Sequence, residues 1–224
     1  MITLDKLFEV HAAFSLDKQM ALSDMLGDCR SWRFDPHEGT ICFGGKNTFN
    51  VQILGTESFS DGTFLWSWAN TQSAFRPELL KGAGEVRSFG VKHDIQELTQ
   101  PELPLKRVDG TRLAMIASGL CKADCFYRGT YDGGAVFLLL NAPLVREFST
   151  SAPQRVARVF TELISGTPLH HRSAFQYYLH YKGYSAQATD AAIVGTSAAG
   201  EQVQANFDCK GRLTRIIARV RPLR

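Results

Sequence analysis

A chain of 224 residues with 44% hydrophobic and 21% charged residues has a globular composition and can bury a substantial core. The net charge of +3 is too small to indicate nucleic-acid or anionic-membrane binding, and no apolar run approaches the ~20 residues of a membrane span. The N-terminus lacks a signal-peptide pattern and the five cysteines are scattered, so we expect a soluble, cytoplasmic protein with reduced thiols.

The chain begins with a predicted helix. Apolar residues recur at spacings of three and four over residues 3–27, and Gly27 is a suitable C-terminal stop. Ser15 and Lys18 interrupt this apolar stripe and indicate a break or bend. The next segment, residues 32–70, carries Gly- and Pro-containing turn signals and predicts a meander of short strands.

An aromatic block, GTFLWSWAN, ends this meander. Its large side chains alternate, and alternate residues of a strand share one face. They are Phe64, Trp66 and Trp68. We expect them to form core, packed on the face of residues 49–53 and covered by a helix after Pro77, since each ring buries ~150–250 Å². The alternative is that they line a ligand pocket.

Further elements follow in order. A helix is predicted over residues 77–90, with a proline in its first turn. The polar residues 92–110 predict an ordered loop, and residues 112–121 a short apolar helix. Residues 124–141 predict a second hairpin, which turns at Asp132-Gly133.

The two hairpins resemble each other in sequence. In each, a Gly-Thr pair precedes an Asp-Gly turn, and an asparagine follows the aspartate nine residues later, Asp61 to Asn70 and Asp132 to Asn141. Each hairpin is also followed by a helix that begins at a proline. Either a hairpin-plus-helix unit is repeated, or the likeness reflects only common turn chemistry.

The last part of the chain predicts two helices and three strands. Their ranges are 153–165, 172–182, 190–197, 201–208 and 212–220. Hairpins mixed with helices, rather than alternating with them singly, predict an α+β fold with mainly antiparallel sheets. We expect two parts, residues 1–150 with the aromatic block and residues 151–224 packed onto them.

The motifs WRFDPHEGTICF, LGTESFSDGTFLWSWAN, ELLKGAGEVRSFG and ELTQPEL together resemble a family of uncharacterised bacterial proteins, a domain of unknown function. In that family a Gly-x-Ser-type turn precedes G-T-W-L-W-A-W-A-N. The resemblance covers residues 20–142; here Phe64 replaces the first tryptophan and Ser67 an alanine. It supports the domain assignment and implies no activity or catalytic residues.

Known catalytic and cofactor signatures are missing from the sequence. Cys121 and Cys125 are separated by three residues rather than two, so with His170 and His171 they make a poor zinc site. GGKNT at residues 44–48 lacks the rest of a phosphate loop and predicts a turn. We therefore expect no metal, no cofactor and no enzyme activity.

Charged segments are the remaining candidates for recognition. Five arginines in residues 212–224 could grip phosphates or an acidic partner, although charges on an edge strand are common. Acidic residues in two loops could form one partner-binding surface. They are Glu57, Asp61, Asp94, Glu97 and Glu102.

These observations favour a non-enzymatic binding protein. The specific hypothesis is an immunity protein that binds and neutralises a toxin, since acidic loops would complement the basic active site of a nuclease. The expected partner is thus a protein rather than a membrane or a nucleic acid, and nucleic-acid binding through the C-terminal arginines is kept as a third hypothesis. The alternative is a small-molecule-binding protein, or an enzyme of unrecognised type, with its pocket near Trp66 and Trp68.

Overall fold

The computed structural model describes residues 2–29 and 31–220, which form six α-helices and eleven strands. The helices are α1 (Leu4–Leu26), α2 (Lys81–His93), α3 (Gly110–Leu120), α4 (Val145–Phe148), α5 (Pro153–Gly166) and α6 (His171–Tyr181). The strands are β1 (Trp32–Asp35), β2 (Thr40–Phe43), β3 (Asn47–Ser58), β4 (Thr63–Trp66), β5 (Glu102–Pro104), β6 (Cys125–Tyr131), β7 (Gly134–Asn141), β8 (Ser185–Ala188), β9 (Ala192–Thr196), β10 (Gln202–Phe207) and β11 (Leu213–Arg219). All strand pairs are antiparallel, so the α+β prediction is confirmed.

The larger sheet is built around the long strand β3. Strand β7 pairs along one side of β3, and β6 continues the sheet beyond it. On the other side, β2 pairs with the first half of β3 and β4 with the second half. Gly62 and Gly133 adopt φ values of 65° and 82°, so both predicted Asp-Gly turns form where glycine is needed. Strand β5 lies within residues 92–110, for which the sequence predicts only a loop.

A β-bulge in β3 decides which face of the sheet carries the aromatic block. The pairing with β7 shifts register after Ile53, which makes Leu54 an extra residue. Because side chains alternate between faces, the extra residue moves the rest of β3 to the opposite face. Residues 49–53 therefore pack in one cluster and Phe64 and Trp66 in another. The prediction that these two sets pack on each other was wrong for this reason.

The smaller sheet is a meander of β8 to β11 that packs against α5 and α6. The larger core cluster extends from Phe8 on α1 through Phe175 on α6 to Phe207 on β10, and so crosses the predicted boundary at residue 150. Within the described residues, every helix is too short or too polar to cross a membrane.

Helix α1 is continuous, and its interrupting polar residues face inward. The Ser15 hydroxyl donates to the Met115 carbonyl at 2.7 Å, and the buried Lys18 bonds to the end of α3. The predicted break is therefore absent, because α1 runs without interruption from Leu4 to Leu26 and these polar groups find partners on α3. Asp17, between them, is fully buried and binds Arg155 at 2.6 Å and Lys182 at 2.8 Å. These ion pairs join α1 to the C-terminal part.

Candidate functional site

Two hairpin turns meet at one end of the larger sheet, and we call residues 58–62 and 131–134 the hairpin tip. The pairing of β3 with β7 continues to Ser58, which lies opposite Gly134. Just beyond it, the Phe59 N–H donates to the Gly133 carbonyl at 2.9 Å. These bonds hold the two turns side by side on a rigid sheet, which is where binding residues are commonly positioned.

The hairpin tip exposes two aromatic rings and two carboxylates. Phe59 is 48% exposed and Tyr131 is 47% exposed, one on each turn. Asp61 accepts a hydrogen bond from the Ser58 hydroxyl at 2.7 Å, and Asp132 is also exposed. Neither carboxylate has a cation within 4 Å among the residues that the structure describes. The tip thus combines apolar contact area with unpaired negative charge.

Glu57 lies beneath the tip and is not part of its surface. Its side chain is buried, contrary to the expectation that it sits on an exposed loop, because it is still within β3. One carboxylate oxygen accepts from Arg128 at 3.0 Å and the other from the Gly110 N–H at 2.9 Å. The Arg128 guanidinium in turn lies 5.9 Å from the centre of the Phe59 ring. Glu57 therefore supports the tip by holding Arg128 and the start of α3.

A second acidic segment lies in a groove of mixed charge. Asp94 ends α2 in a left-handed conformation with φ of 55°, and Glu97 pairs with Arg107 at 2.9 Å. Asp94, Glu97 and Arg107 line this groove together with Asp5 and Arg112, which form an ion pair of their own. The structure thus brings two of the predicted acidic residues together, but it also places two arginines beside them.

The last of the acidic candidates, Glu102, lies on β5. Glu102 is exposed on this edge strand, which pairs only with β4 among the described strands. Past the strand, the Leu105 N–H donates to the Gly62 carbonyl at 2.8 Å, so this segment passes beside the turn that carries Asp61. Of the predicted residues, Asp61 belongs to the hairpin tip and Glu102 lies on the strand leading towards it.

The aromatic block is divided between core and surface. Phe64 and Trp66 are fully buried, with ring centres 5.2 Å apart in an edge-to-face contact, and the Trp66 indole donates to the Glu97 carbonyl at 3.1 Å. Strand β4 ends at Trp66, so Trp68 falls in a short 3-10 turn and is only half-buried. Arg87 covers its ring at 4.3 Å. Trp66 has no exposed surface on which a ligand could stack.

The cysteines and histidines do not assemble a metal site in the described residues. Cys121 donates to the Gly82 carbonyl at 3.4 Å, and Cys125 is buried where β6 begins. Burial raises the pKa of both thiols to about 12, so both are neutral at physiological pH. A thiol that stays protonated is a poor nucleophile, and Cys125 is in addition fully buried.

The C-terminal arginines lie on an edge strand. Strand β11 pairs only with β10 among the described strands, and Arg215 and Arg219 point to the same side of it, opposite Asn206 and Gln202. This agrees with the alternation in the sequence and with charged edge strands in general. The arginines at positions 221 and 224 lie outside the described residues.

His11 on α1 is buried, and we expect it to make stability depend on pH. Burial, aided by the positive charge of Lys18, lowers the pKa of His11 from 6.5 to about 4. Between pH 6.5 and about pH 4 the unfolded chain therefore binds more protons at His11 than the folded chain does. For this reason the free energy of unfolding is not reduced by His11 above pH 6.5, and it falls as the pH is lowered towards 4. Between about pH 7 and about pH 5 the loss should be about 2 kcal/mol.

Urea denaturation at these two pH values measures this loss. In His11→Gln the difference between the two pH values should shrink by that amount. His180→Gln, which changes an exposed histidine near the end of α6, is the matched control and should behave like the unmodified protein. An unchanged pH dependence in His11→Gln would contradict the assignment.

Comparison with known proteins identifies a family. The model of the Family of unknown function (DUF6882) matches residues 5–143, more than half of the chain. The matched range contains both hairpins and the whole hairpin tip, and it ends before α4. No curated protein and no solved structure gives a significant match.

Proposed function

We propose that this chain, which belongs to that family of unknown function, is a binding protein that recognises a basic protein surface through its hairpin tip. The observation that carries the proposal is that two adjoining turns each expose an aromatic ring, Phe59 on one and Tyr131 on the other, and also carry unpaired carboxylates. The specific partner we propose is a toxin, such as a nuclease effector, which the protein would neutralise in the cytoplasm as an immunity protein.

The aromatic rings supply the contact energy in this proposal. Phe, Tyr and Trp are prominent at the centres of protein interfaces, where a few residues carry most of the affinity. Phe59 and Tyr131 are held by a main-chain hydrogen bond between their turns, so little conformational freedom is lost when a partner covers them. Arg128, positioned by the buried Glu57, adds a guanidinium beside the Phe59 ring.

The carboxylates supply the preference for a basic partner. Asp61 and Asp132 have no cation near them in the described part of the chain, so a partner's lysine or arginine could approach both without displacing an existing ion pair. Charge complementarity of this kind accelerates association and selects the partner. Glu102, exposed on β5, adds a further carboxylate on the strand leading towards the tip, whereas Glu97 is already paired with Arg107. A nuclease, whose active site must attract phosphates, presents such a basic surface.

The test uses the product of the neighbouring gene as the partner. We expect a stable complex in gel filtration, and titration calorimetry should show that Phe59→Ala and Tyr131→Ala each weaken it by at least about tenfold, as for central interface residues. Asp61→Asn and Asp132→Asn should mainly slow association, and their effect should fade as salt is added.

Phe148→Ala is the matched control, because Phe148 is an exposed aromatic residue on α4, outside the hairpin tip. It should leave the affinity unchanged. A neighbouring gene product that forms no complex would overturn the immunity assignment. A complex that tolerates both tip substitutions would overturn the hairpin tip as the binding surface.

A further inference from the structure

A cavity of about 350 Å³ opens among α1, the end of α3, α4 and the end of α6. Part of its wall is apolar: the rings of Phe14 and Tyr181 stack with centres 4.7 Å apart, and Val145 lies in the same lining. The volume is within the range of small-molecule sites. The cavity lies where β6 begins, whereas the hairpin tip lies where β6 ends, ~20 Å along the strand.

Positive charge dominates the polar part of this cavity. Four cationic side chains and a single carboxylate, that of Asp124, line it. The cations are Lys18, Lys122, Arg146 and Lys182. Lys182 is neutralised by Asp17 at 2.8 Å, and Arg146 bonds to Asp124 at 2.6 Å. The cavity therefore keeps an excess of positive charge after its own ion pairs are made.

Lys18 is a buried residue whose positive charge no carboxylate of the described cavity lining pairs with. Its ammonium group donates to the carbonyls of Ala123 at 2.7 Å and Ser118 at 3.2 Å, and no carboxylate lies within 4 Å of it in the described residues. Burial lowers the pKa of Lys18 to about 8, only partly offset by the carboxylates of Asp124 and Asp17. A charge held only by neutral groups in a poorly solvated place would be stabilised by a nearby anion.

Two other cations provide free donors at the mouth. Arg146 uses only its Nε for Asp124, its terminal nitrogens make no hydrogen bond to any residue that the structure describes, and its side chain is 73% exposed. Lys122 is exposed and its ammonium makes no hydrogen bond or ion pair within the described part of the chain. An anion at the mouth could thus contact Arg146 and Lys122 directly while Lys18 attracts it from the wall.

We infer that this cavity binds a small organic anion, with its carboxylate or phosphate group at Lys122 and Arg146 and its apolar body against the stacked rings of Phe14 and Tyr181. The apolar wall favours an organic ligand over an inorganic ion, and the unmatched charge favours an anion over a neutral molecule. This site uses different residues from the hairpin tip and does not depend on the proposed protein partner.

The experiment uses three probes of similar shape, namely benzoate, phenyl phosphate and neutral benzyl alcohol. In calorimetric titrations at low salt, at least one of the two anions should bind saturably with one site per chain, and benzyl alcohol should not. Comparison of the two anions identifies which group the site prefers. Lys122→Gln should weaken the preferred anion by about fivefold, as expected for one partly exposed charge.

Lys92→Gln is the matched control, because Lys92 is an exposed lysine on α2, outside the cavity lining, and its loss should not change binding. The bound anion should also raise the pKa of Lys18, which NMR of the lysine side chain can follow. The charged or titratable groups facing Lys18 are Asp17, Asp124, Arg146, His11, Cys121 and Cys125. The proposal is overturned if neither anion binds saturably, if benzyl alcohol binds as tightly, or if Lys122→Gln and Lys92→Gln behave alike.

Discussion

Replacing Asp17 by asparagine should lower the free energy of unfolding by about 3–5 kcal/mol, the usual result of removing one partner from a buried ion pair. Asp17 has no exposed surface, and its carboxylate accepts from Arg155, Lys182 and the Ser149 hydroxyl. Asparagine has nearly the same size, so the change removes charge rather than volume. Lys182, itself buried, would then keep its positive charge without a counter-ion.

Urea denaturation followed by tryptophan fluorescence measures this loss, and Asp24→Asn is the matched control. Asp24 binds the same guanidinium, that of Arg155, at 2.8 Å, but its side chain is 36% exposed. Because exposed ion pairs contribute little, Asp24→Asn should cost at most about 1 kcal/mol. Equal effects of the two substitutions would show that burial of Asp17 does not set the strength of these interactions.

Local signals made much of the fold predictable from the sequence. The Asp-Gly turns form where φ must be positive, at Gly62 and Gly133, and proline begins α5 as expected. Helix α5 could be placed because its apolar residues repeat at helical spacing and are buried on one face. They are Val156, Val159, Phe160 and Leu163. These turns and helices are determined by residues that are close together in the chain, so they can be predicted from one sequence.

Features that depend on distant residues could not be predicted. The bulge at Leu54 needs β7 as its partner, and the adjacent apolar residues Ile53 and Leu54 interrupt the alternation without showing that the strand stays continuous and changes face there. The burial of Glu57 likewise depends on Arg128, 71 residues away, and that of Asp17 on Arg155, 138 residues away. In the sequence alone these carboxylates resemble surface residues, because ordinary statistics place charged side chains in solvent.

The candidate sites follow the same division. The two turns of the hairpin tip could have been anticipated from the Asp-Gly pairs, but only the pairing of β3 with β7 shows that the turns adjoin, and only the structure shows that Phe59 and Tyr131 are exposed there. The cavity needs α1, α4 and α6 together, and its key residue, Lys18, disturbs the helical pattern of α1. A polar residue that interrupts the apolar stripe of a helix therefore indicates a contact inside the protein.

Replacing Trp66 by alanine should cost about 3–5 kcal/mol of stability, the usual range when a large aromatic residue is removed from a core. Trp66 is fully buried and contacts Phe64 edge to face. Alanine at this position would therefore leave a large cavity in the larger core cluster, which Trp66 shares with residues of α2 and α3. The change would also leave the Glu97 carbonyl without the indole donor. Loss of that hydrogen bond adds to the cost of the cavity.

Trp68→Ala is the matched control, since Trp68 is only half-buried in the following turn, at the margin of the larger core cluster, and the guanidinium of Arg87 covers its ring. Its removal should cost about 1–2 kcal/mol, less than that of Trp66. Trp68 buries less apolar surface than Trp66, and the cation–π contact that is lost is worth about 1 kcal/mol. The alternative for Trp66, a ligand pocket, predicts the reverse: the fold would tolerate Trp66→Ala and only binding would suffer. Because no surface of Trp66 reaches solvent, a Trp66→Ala protein with the same free energy of unfolding as the unmodified protein would contradict the packing described here.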